Sequence, residues 1–503
     1  MADPGRVASG ANLLAWLERE GCEHCVRLGE TPGAGGVGVF ATRDVERGEI
    51  LISCPTRTVI SAAETRLDVD PGMKAFAKAL DDVRVARGDG SGREGTPLDD
   101  STRMQLLLLR ERHTEERRVS LPTDSQPRER TSASSRDGSR EPADVRFSGY
   151  WAAYTRALPG DELVASLPSS WSEPELERRL GGTSLFPEVL AERAELVSLA
   201  AALESVWRGD ETERGDSAFG DDSAFGVSRL RWARAVFRSR AIALPLAGWG
   251  RGGARGLETK RSGGDDGALV PLLDMCNHAR DAGTSLQRRG AAWRLVATRR
   301  FTRGEEVRID YGGKGNGELL TRHGFVIPNN PFDTVSFQIG NASFTLHRGV
   351  REWREFPPGA RDAAARFLRQ TRGRSAFLGE SSESDGGKRG KRRRDGETER
   401  RETTRSESER DVIVLTFLAE SARRRRDAIA APPGESSRAE SSVAESDASG
   451  FATSSAFLTD RACAMVRESQ RELLSDLEDL ARETIEATRT TTRLDDATTT
   501  KTR

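Results

Sequence analysis

Three short stretches hold the residues of this chain best suited to chemistry. Asn277-His278 follows the apolar run ALVPLLDMC, which carries a single carboxylate, Asp274. Tyr311 ends the strand-like EVRIDY and precedes Gly312-Gly313, where the chain must turn sharply. Near the start, GAGGVGVFATRDVERGEI places glycines at 33, 35, 36 and 38. An asparagine amide donates and accepts at once, which suits a zwitterionic ligand. Glycines let backbone amides and carbonyls come close to a ligand. A phenol at a strand end can orient a nitrogen. Arg240, near the end of WARAVFRSRAIAL, could clamp a carboxylate through two hydrogen bonds. Taken singly, each has a plain structural reading. Tyr311 could cap a strand, Asn277 could cap a turn with His278 in a core, the glycine run could be a hairpin turn, and Arg240 could be one solvated arginine among many. The glycine run is not a dinucleotide fingerprint, because no helix pattern follows it.

The elements that must position these residues follow from periodicity. Residues 12–20 predict a short amphipathic helix with Leu13, Leu14 and Leu17 on one side. Alternation in ATRDV and EILISCP predicts two strands around a tight turn at Arg47-Gly48. RMQLLLLRER (103–112) reads as an apolar helix. From about 114 to 145 the chain is rich in Arg, Ser, Glu and Asp, and such a stretch buries too little to offset its ordering entropy. Order resumes at Tyr150-Trp151. SEPELERRL, opened by a Ser172 cap, and LRWARAVFRSRAIAL carry helical spacing. TVSFQIGNASFTLH is β-like. Helical patterns then dominate to the end, with Val466, Leu473, Leu477 and Leu480 on one face of the last.

Composition bounds the rest. The chain has 503 residues, 36% hydrophobic and 31% charged, so part of it must be solvated insertion. A net charge of −1 gives no strong pull toward nucleic acid or a membrane surface. There is no run of about 20 apolar residues, and MADPGRVASG has no apolar signal core. The five cysteines (Cys22, Cys25, Cys54, Cys276, Cys463) are sparse and unevenly spaced, which predicts reduced thiols in an intracellular protein. Cys22-Glu-His-Cys25 is a lone C-x-x-C and is weak evidence for zinc. The basic cluster Lys388 to Arg394 reads either as a nuclear import signal or as a solvated charge run. A nucleic-acid role for the arginine tracts would predict steeply salt-dependent binding, and the near-zero net charge argues against it.

In their order along the chain, GAGGVGVFATRDVERGE, Ser239-Arg240, PLLDMCNH and Tyr311 resemble the split active site of SET-domain protein methyltransferases. Within that family the chain most resembles the branch typified by the Rubisco large-subunit lysine methyltransferase. MQLLLLRER, YWAAYTRALP, WSEPELERRLGGTSL, GNGELLTRHGFVIPNNPFD and RESQRELLSDLEDL extend the resemblance. It implies an α+β fold: a knotted, β-rich SET core split by a helical insert, followed by a mainly helical C-terminal domain. On that pattern, 11–112 is an N-terminal helix with the first half of the core, 113–147 a disordered insertion, and 148–247 the helical insert. Residues 248–267 are a flexible insertion, and 268–330 the second half of the core with the active site. Residues 331–503 form the C-terminal domain, with disordered insertions near 380–410 and 432–455.

The resemblance also implies a chemistry, methyl transfer from S-adenosylmethionine to a protein side-chain nitrogen. The donor is a sulfonium cation, and the acceptor must arrive neutral, in line and stripped of water. A narrow apolar channel beside a positive sulfur lowers a lysine pKa by desolvation and like charge. Tyr311 matches the family's catalytic hydroxyl. Gly36, Val37, Gly38, Arg240, Asn277 and His278 match donor-binding positions, and Phe325 the aromatic near the donor's adenine. Asp274 and His323 fall on the acceptor side. Lysine is the expected acceptor. His323 stands where the family commonly has tyrosine before Gly-Phe, and the branch includes an enzyme acting on actin histidine, so histidine is the alternative, with a catalytically silent SET-fold binding protein as the other. A protein substrate docked by the C-terminal helices, no nucleic-acid or membrane partner, no metal, a monomer, and a cytoplasmic or nuclear location with a plastid left open complete the expectation.

Overall fold

The computed structural model describes residues 4–31, 36–61, 71–85, 95–120, 149–208, 225–243, 267–371, 407–429 and 455–501. The chain divides into two compact units. One comprises Met1–Ser170 with Ala191–Gly312, and the other Trp171–Leu190 with Gly313–Arg503. The first unit therefore ends at Gly312, whereas the sequence pattern ran the second half of the core on to 330. Most of the expected insertions, with Gly33 and Gly35, lie outside the described residues. At their edges the chain is regular. A helix over Asp100–Ser120 continues into the segment expected to be disordered, and helices begin at Glu407 and Ser455. HTEERRVS is polar, but its Glu and Arg residues are good helix formers and extend a helix already nucleated by the buried run Leu106 to Leu109.

The first unit is built on short antiparallel strands. These are β1 (Glu23–His24), β2 (Val26–Glu30), β3 (Val37–Ala41), β4 (Ile50–Pro55), β5 (Arg84–Val85), β6 (Thr96–Pro97), β7 (Ile242–Ala243), β8 (Gly267–Ala268), β9 (Thr284–Arg289), β10 (Ala292–Ala297) and β11 (Glu306–Val307). One sheet has the order β1-β4-β10-β9, a second β11-β3-β2, and β5-β6 and β7-β8 are separate pairs. The two strands expected around the tight turn at Arg47-Gly48 do not pair with each other. Gly48 does turn the chain, at φ 92°. However, Val45 bridges Phe301 while β4 runs along β10, so the two segments enter different ladders. Alternation shows which face of a strand is buried and is silent about its partner.

The helix Pro4–Arg19 buries Leu13, Trp16 and Leu17 in the same core as Val39, Leu51, Ile52, Trp293 and Phe301. The helix Val227–Arg240 carries Arg240 at its last position. It is anchored by Leu230, Trp232, Val236 and Phe237, all buried, and each such side chain contributes roughly 1.5–3 kcal/mol. The Trp232 indole donates to the Pro159 carbonyl at 2.8 Å, which fixes the rotation of the helix.

The second unit carries the hairpin β12 (Thr334–Ile339) and β13 (Ala342–His347), where the β-like stretch was expected. Its helices include Glu173–Leu180, Asn316–His323, Ala360–Thr371, Glu407–Ala428 and Ser455–Lys501. Ser172 caps the first of these, accepting from Glu175 N at 3.4 Å. Leu473, Leu477 and Leu480 pack with Val335, Phe337, Val414 and Leu418, while Val466 joins Leu176, Leu180 and Leu320. The fold is α+β, as expected. Among the described residues, no helix is long and apolar enough to cross a membrane.

Candidate active site

The first unit brings two distant segments together at a backbone crossing. Ile309 N donates to the Asn277 carbonyl at 2.9 Å, and Ala279 N donates to the Ile309 carbonyl at 3.0 Å. This is a parallel bridge between His278 and Ile309. It sets Asn277-His278 beside Tyr311. Tyr311 N donates to His278 Nδ1 at 3.2 Å, and the two rings lie 5.0 Å apart. The Tyr311 hydroxyl donates to the Cys276 carbonyl at 2.9 Å. Burial holds the His278 pKa below its ordinary value, against the pull of Asp310. A neutral ring that accepts at Nδ1 carries its proton on Nε2.

Asn277 ties the crossing to the glycine-rich segment. Its amide nitrogen donates to Thr31 Oγ1 at 3.1 Å and to Glu306 Oε1 at 2.8 Å. Gly38 lies directly against this group. A β-carbon there would stand 2.8 Å from the Glu306 and Thr31 oxygens and 3.1 Å from the Asn277 nitrogen. The hydrogen on Gly38 is therefore a packing requirement. Gly36 differs, because a β-carbon there meets nothing within 4 Å. Its carbonyl accepts from Thr31 N at 2.9 Å and closes the turn. Val37 opens β3 opposite Glu30. Thr31 and Glu306 were not singled out from the sequence, and no local pattern marks them.

A second cluster lies behind the first. The 3-10 turn Leu273–Met275 follows Leu272, a buried leucine at φ 74°, a strained conformation for a side chain of this size. Arg240 Nη1 donates to the Asp274 carbonyl at 2.7 Å and contacts Met275 Sδ at 3.1 Å. Arg240 Nε is buried with no hydrogen-bond partner among the described residues. The Asp274 carboxyl turns inward and accepts from the Tyr154 hydroxyl at 2.5 Å. Burial is the first cause pushing that carboxyl up to about 7, against the opposing pull of Arg240 and the Tyr154 hydrogen bond. Burial likewise pushes Tyr311 up to about 12, with Arg240 pulling the other way.

Of the expected site residues, Gly36, Val37, Gly38, Arg240, Asp274, Asn277, His278 and Tyr311 all belong to the first unit. His323 and Phe325 belong to the second, on either side of Gly324, which ends the helix Asn316–His323 at φ 76°. Their rings are 6.0 Å apart. Among the described residues, no group of three or more His, Cys, Asp or Glu is placed to hold a metal ion, and the five cysteines are unpaired thiols.

Comparison with known proteins gives the family. A family model described as the SET domain matches residues 36–312. SET domain-containing protein 4 of Artemia parthenogenetica is 26% identical over 198 residues, 39% of this chain and 44% of that protein. Ribosomal lysine N-methyltransferase set11 of Schizosaccharomyces pombe is 35% identical over 71 residues, 14% of this chain and 18% of that protein. The actin-histidine N-methyltransferase of Canis lupus familiaris is 38% identical over 74 residues, 14% of this chain and 13% of that protein. The chain thus spans less than half the length of each of these relatives. Among solved structures, that of Rubisco LSMT bound to AdoMet aligns with a TM-score of 0.56 at 16% identity, covering 95% of this chain and 93% of that one. At that identity the likeness is one of fold.

Two outcomes follow from the geometry. Gly38→Ala places a methyl against two oxygens and should destabilise the first unit by about 1–3 kcal/mol, while Gly36→Ala should cost under about 0.5 kcal/mol. Denaturant unfolding of the two variants would show this, and equal costs would contradict it. Asp274 binds its proton more tightly folded than unfolded. Its penalty is therefore absent at low pH and accumulates as pH rises from 3.8 to about 7. Asp274→Asn removes that penalty. Its stability relative to the parent should rise by roughly 1.4 kcal/mol per pH unit across that window and then level off. Unfolding at pH 5 and pH 8 tests this, and a difference independent of pH would contradict it.

Proposed function

Because this chain belongs to the SET-domain family, we propose that it transfers a methyl group from S-adenosylmethionine to a side-chain nitrogen of a protein, lysine first. The observation that carries the reading is the meeting of Tyr311, Asn277-His278 and the Gly38 strand at one crossing. Convergence of this kind is not needed to cap a strand.

The residues present suit the donor. Arg240 Nε is a buried cationic donor with no protein partner among the described residues, the kind of group a ligand carboxylate would satisfy. Asn277 and the amides around Gly36, Val37 and Gly38 offer polar atoms to the amino-acid end, and neutral His278 adds a ring N–H. Phe325, in the second unit, is the aromatic assigned to the adenine in this reading. When bound, the donor supplies an electrophilic methyl on a positive sulfur.

The chain's own part is orientation. Tyr311 stays a neutral phenol at working pH, because burial holds its pKa near 12. It is therefore not a base. Its proton is committed to the Cys276 carbonyl at 2.9 Å, which leaves an oxygen lone pair to accept an N–H from the acceptor and aim the nitrogen lone pair at the methyl. The acceptor's proton must leave before this step, and desolvation beside a cation drives that loss. Asp274 Oδ2 accepts from Tyr154, and its backbone N–H and carbonyl are engaged by Val270 and Arg240, so in this reading Asp274 supports the site from behind. In this reading the helices of the second unit dock the protein substrate.

Histidine is the second acceptor reading. It is favoured by His323, by the partial match to the actin-histidine enzyme, and by a site whose phenol makes no demand on acceptor charge. Incubating the purified protein and a cell extract with labelled S-adenosylmethionine, followed by mass spectrometry of the modified residue, separates lysine, histidine and a silent binder. Tyr311→Phe should keep donor affinity by calorimetry and lose about 100-fold or more in turnover. Full activity in that variant would refute the role.

A further inference from the structure

Tyr154 is a fully buried tyrosine on the helix Ala152–Ala157. Phenylalanine would fill the same space without a polar atom to satisfy. Its hydroxyl is spent on one partner, Asp274 Oδ2, at 2.5 Å. The other carboxyl oxygen, Oδ1, is buried with no hydrogen-bond partner among the described residues. Tyr154 is thus the side-chain tether of Asp274. Asp274 sits in the middle of the Leu273–Met275 turn, behind Leu272 at φ 74°. A strained backbone of this kind persists only where its surroundings hold it. The carbonyls of that segment seat two site residues. Asp274 O accepts from Arg240, and Cys276 O accepts from the Tyr311 hydroxyl.

We propose that Tyr154 is a positioning residue for this site: through the Asp274 carboxyl it holds the 272–276 segment that seats Arg240 and Tyr311, so that the charge on Asp274 is felt at the Tyr311 hydroxyl. The groups facing that carboxyl are Tyr154 on its helix, Arg240 at the end of another, Cys54 on β4, Cys276 one turn on, and Tyr311. The Cys22 hydrogen bond, with burial, pushes the Cys54 thiol upward, burial pushes the Cys276 thiol and both phenols upward, and arginine as a residue type keeps its charge. Asp274, near 7, is the member of this set that changes charge at neutral pH. Ionised, it attracts the guanidinium and opposes negative charge on Tyr311. The hydrogen bond from Tyr154 favours that ionised form. The consequence for donor binding rests on the methyl-transfer reading, whereas the coupling between the two tyrosines does not.

The sequence holds three tyrosines, Tyr150, Tyr154 and Tyr311, so a chain labelled at tyrosine Cζ with carbon-13 gives three assignable signals. Between pH 5.5 and 8.5 the signals of Tyr154 and Tyr311 are expected to move together with one midpoint. In Tyr154→Phe the Tyr311 signal should still move, with its midpoint shifted to higher pH, because the carboxylate has lost a donor. In Asp274→Asn the Tyr311 movement should vanish. That variant also excludes His278, whose ring lies 5.0 Å from Tyr311, since movement driven by His278 would survive it. A Tyr311 signal that stays still while Tyr154 titrates, or an unchanged midpoint in Tyr154→Phe, overturns the proposal. Calorimetry with S-adenosylhomocysteine on the same samples should show severalfold weaker binding in Tyr154→Phe than in the parent. A parent protein with no affinity for S-adenosylhomocysteine would sink the methyl-transfer reading and leave the titration result standing.

Discussion

Two hydrogen bonds between Asn277–Ala279 and Ile309 hold the candidate site in register. Without them the glycine-rich strand, the Asn-His pair and the tyrosine would be three unrelated surface features. With them the Asn277 amide reaches Thr31 and Glu306, Gly38 closes over that group, and Tyr311 is fixed at both ends, by its backbone N–H on His278 and its hydroxyl on Cys276. This crossing demands a residue without a β-carbon at Gly38, where the Glu306, Thr31 and Asn277 side chains close in. It also demands satisfied polar groups, since each buried donor left alone costs about 1–3 kcal/mol. Both demands are met at the crossing, while just behind it Arg240 Nε and Asp274 Oδ1 are buried with no hydrogen-bond partner among the described residues.

Electrostatics divides the site into fixed and variable parts. Tyr311 is held neutral and His278 is biased toward neutrality, both by burial. Asp274 is different, because burial and the opposing Arg240 and Tyr154 contacts leave it balanced near 7. A carboxyl in that state is costly to keep in a core, and its retention beside a strained leucine fits a site that trades stability for order.

The residues that meet at the crossing stood out in the sequence because their types are unusual in company (Asn-His after an apolar run, a rare tyrosine before paired glycines, and glycines before a strand), and the family resemblance supplied the roles proposed for them. Their partners did not stand out. Thr31 and Tyr154 reach Asn277 and Asp274 across 246 and 120 residues, and Glu306, although it opens the EVRIDY stretch, is marked as Asn277's partner only by the fold. Asp274 was read as an acceptor-side group from its place in the motif, but whether its carboxyl faces a channel or a core depends on a tyrosine 120 residues away. The helices of the second unit were readable from periodicity, whereas the α+β class came from the family resemblance. Pairing was not readable: the segments around Gly48 enter separate ladders because β10 offers β4 a longer partner than ATRDV could. The helix Asp100–Ser120 outran its expected end because composition reports solvation, not helix propensity.

In this reading the crossing builds a seat for the methyl donor. The most direct measurement is a crystal structure of the full chain with S-adenosylhomocysteine. The expected result is the amino-acid end of that ligand on Arg240 and Asn277, its sulfur facing the Tyr311 hydroxyl, and its backbone contacts on Gly36–Gly38. A ligand bound elsewhere, or a crossing with the same hydrogen bonds and no ligand against it at saturating concentration, would contradict it.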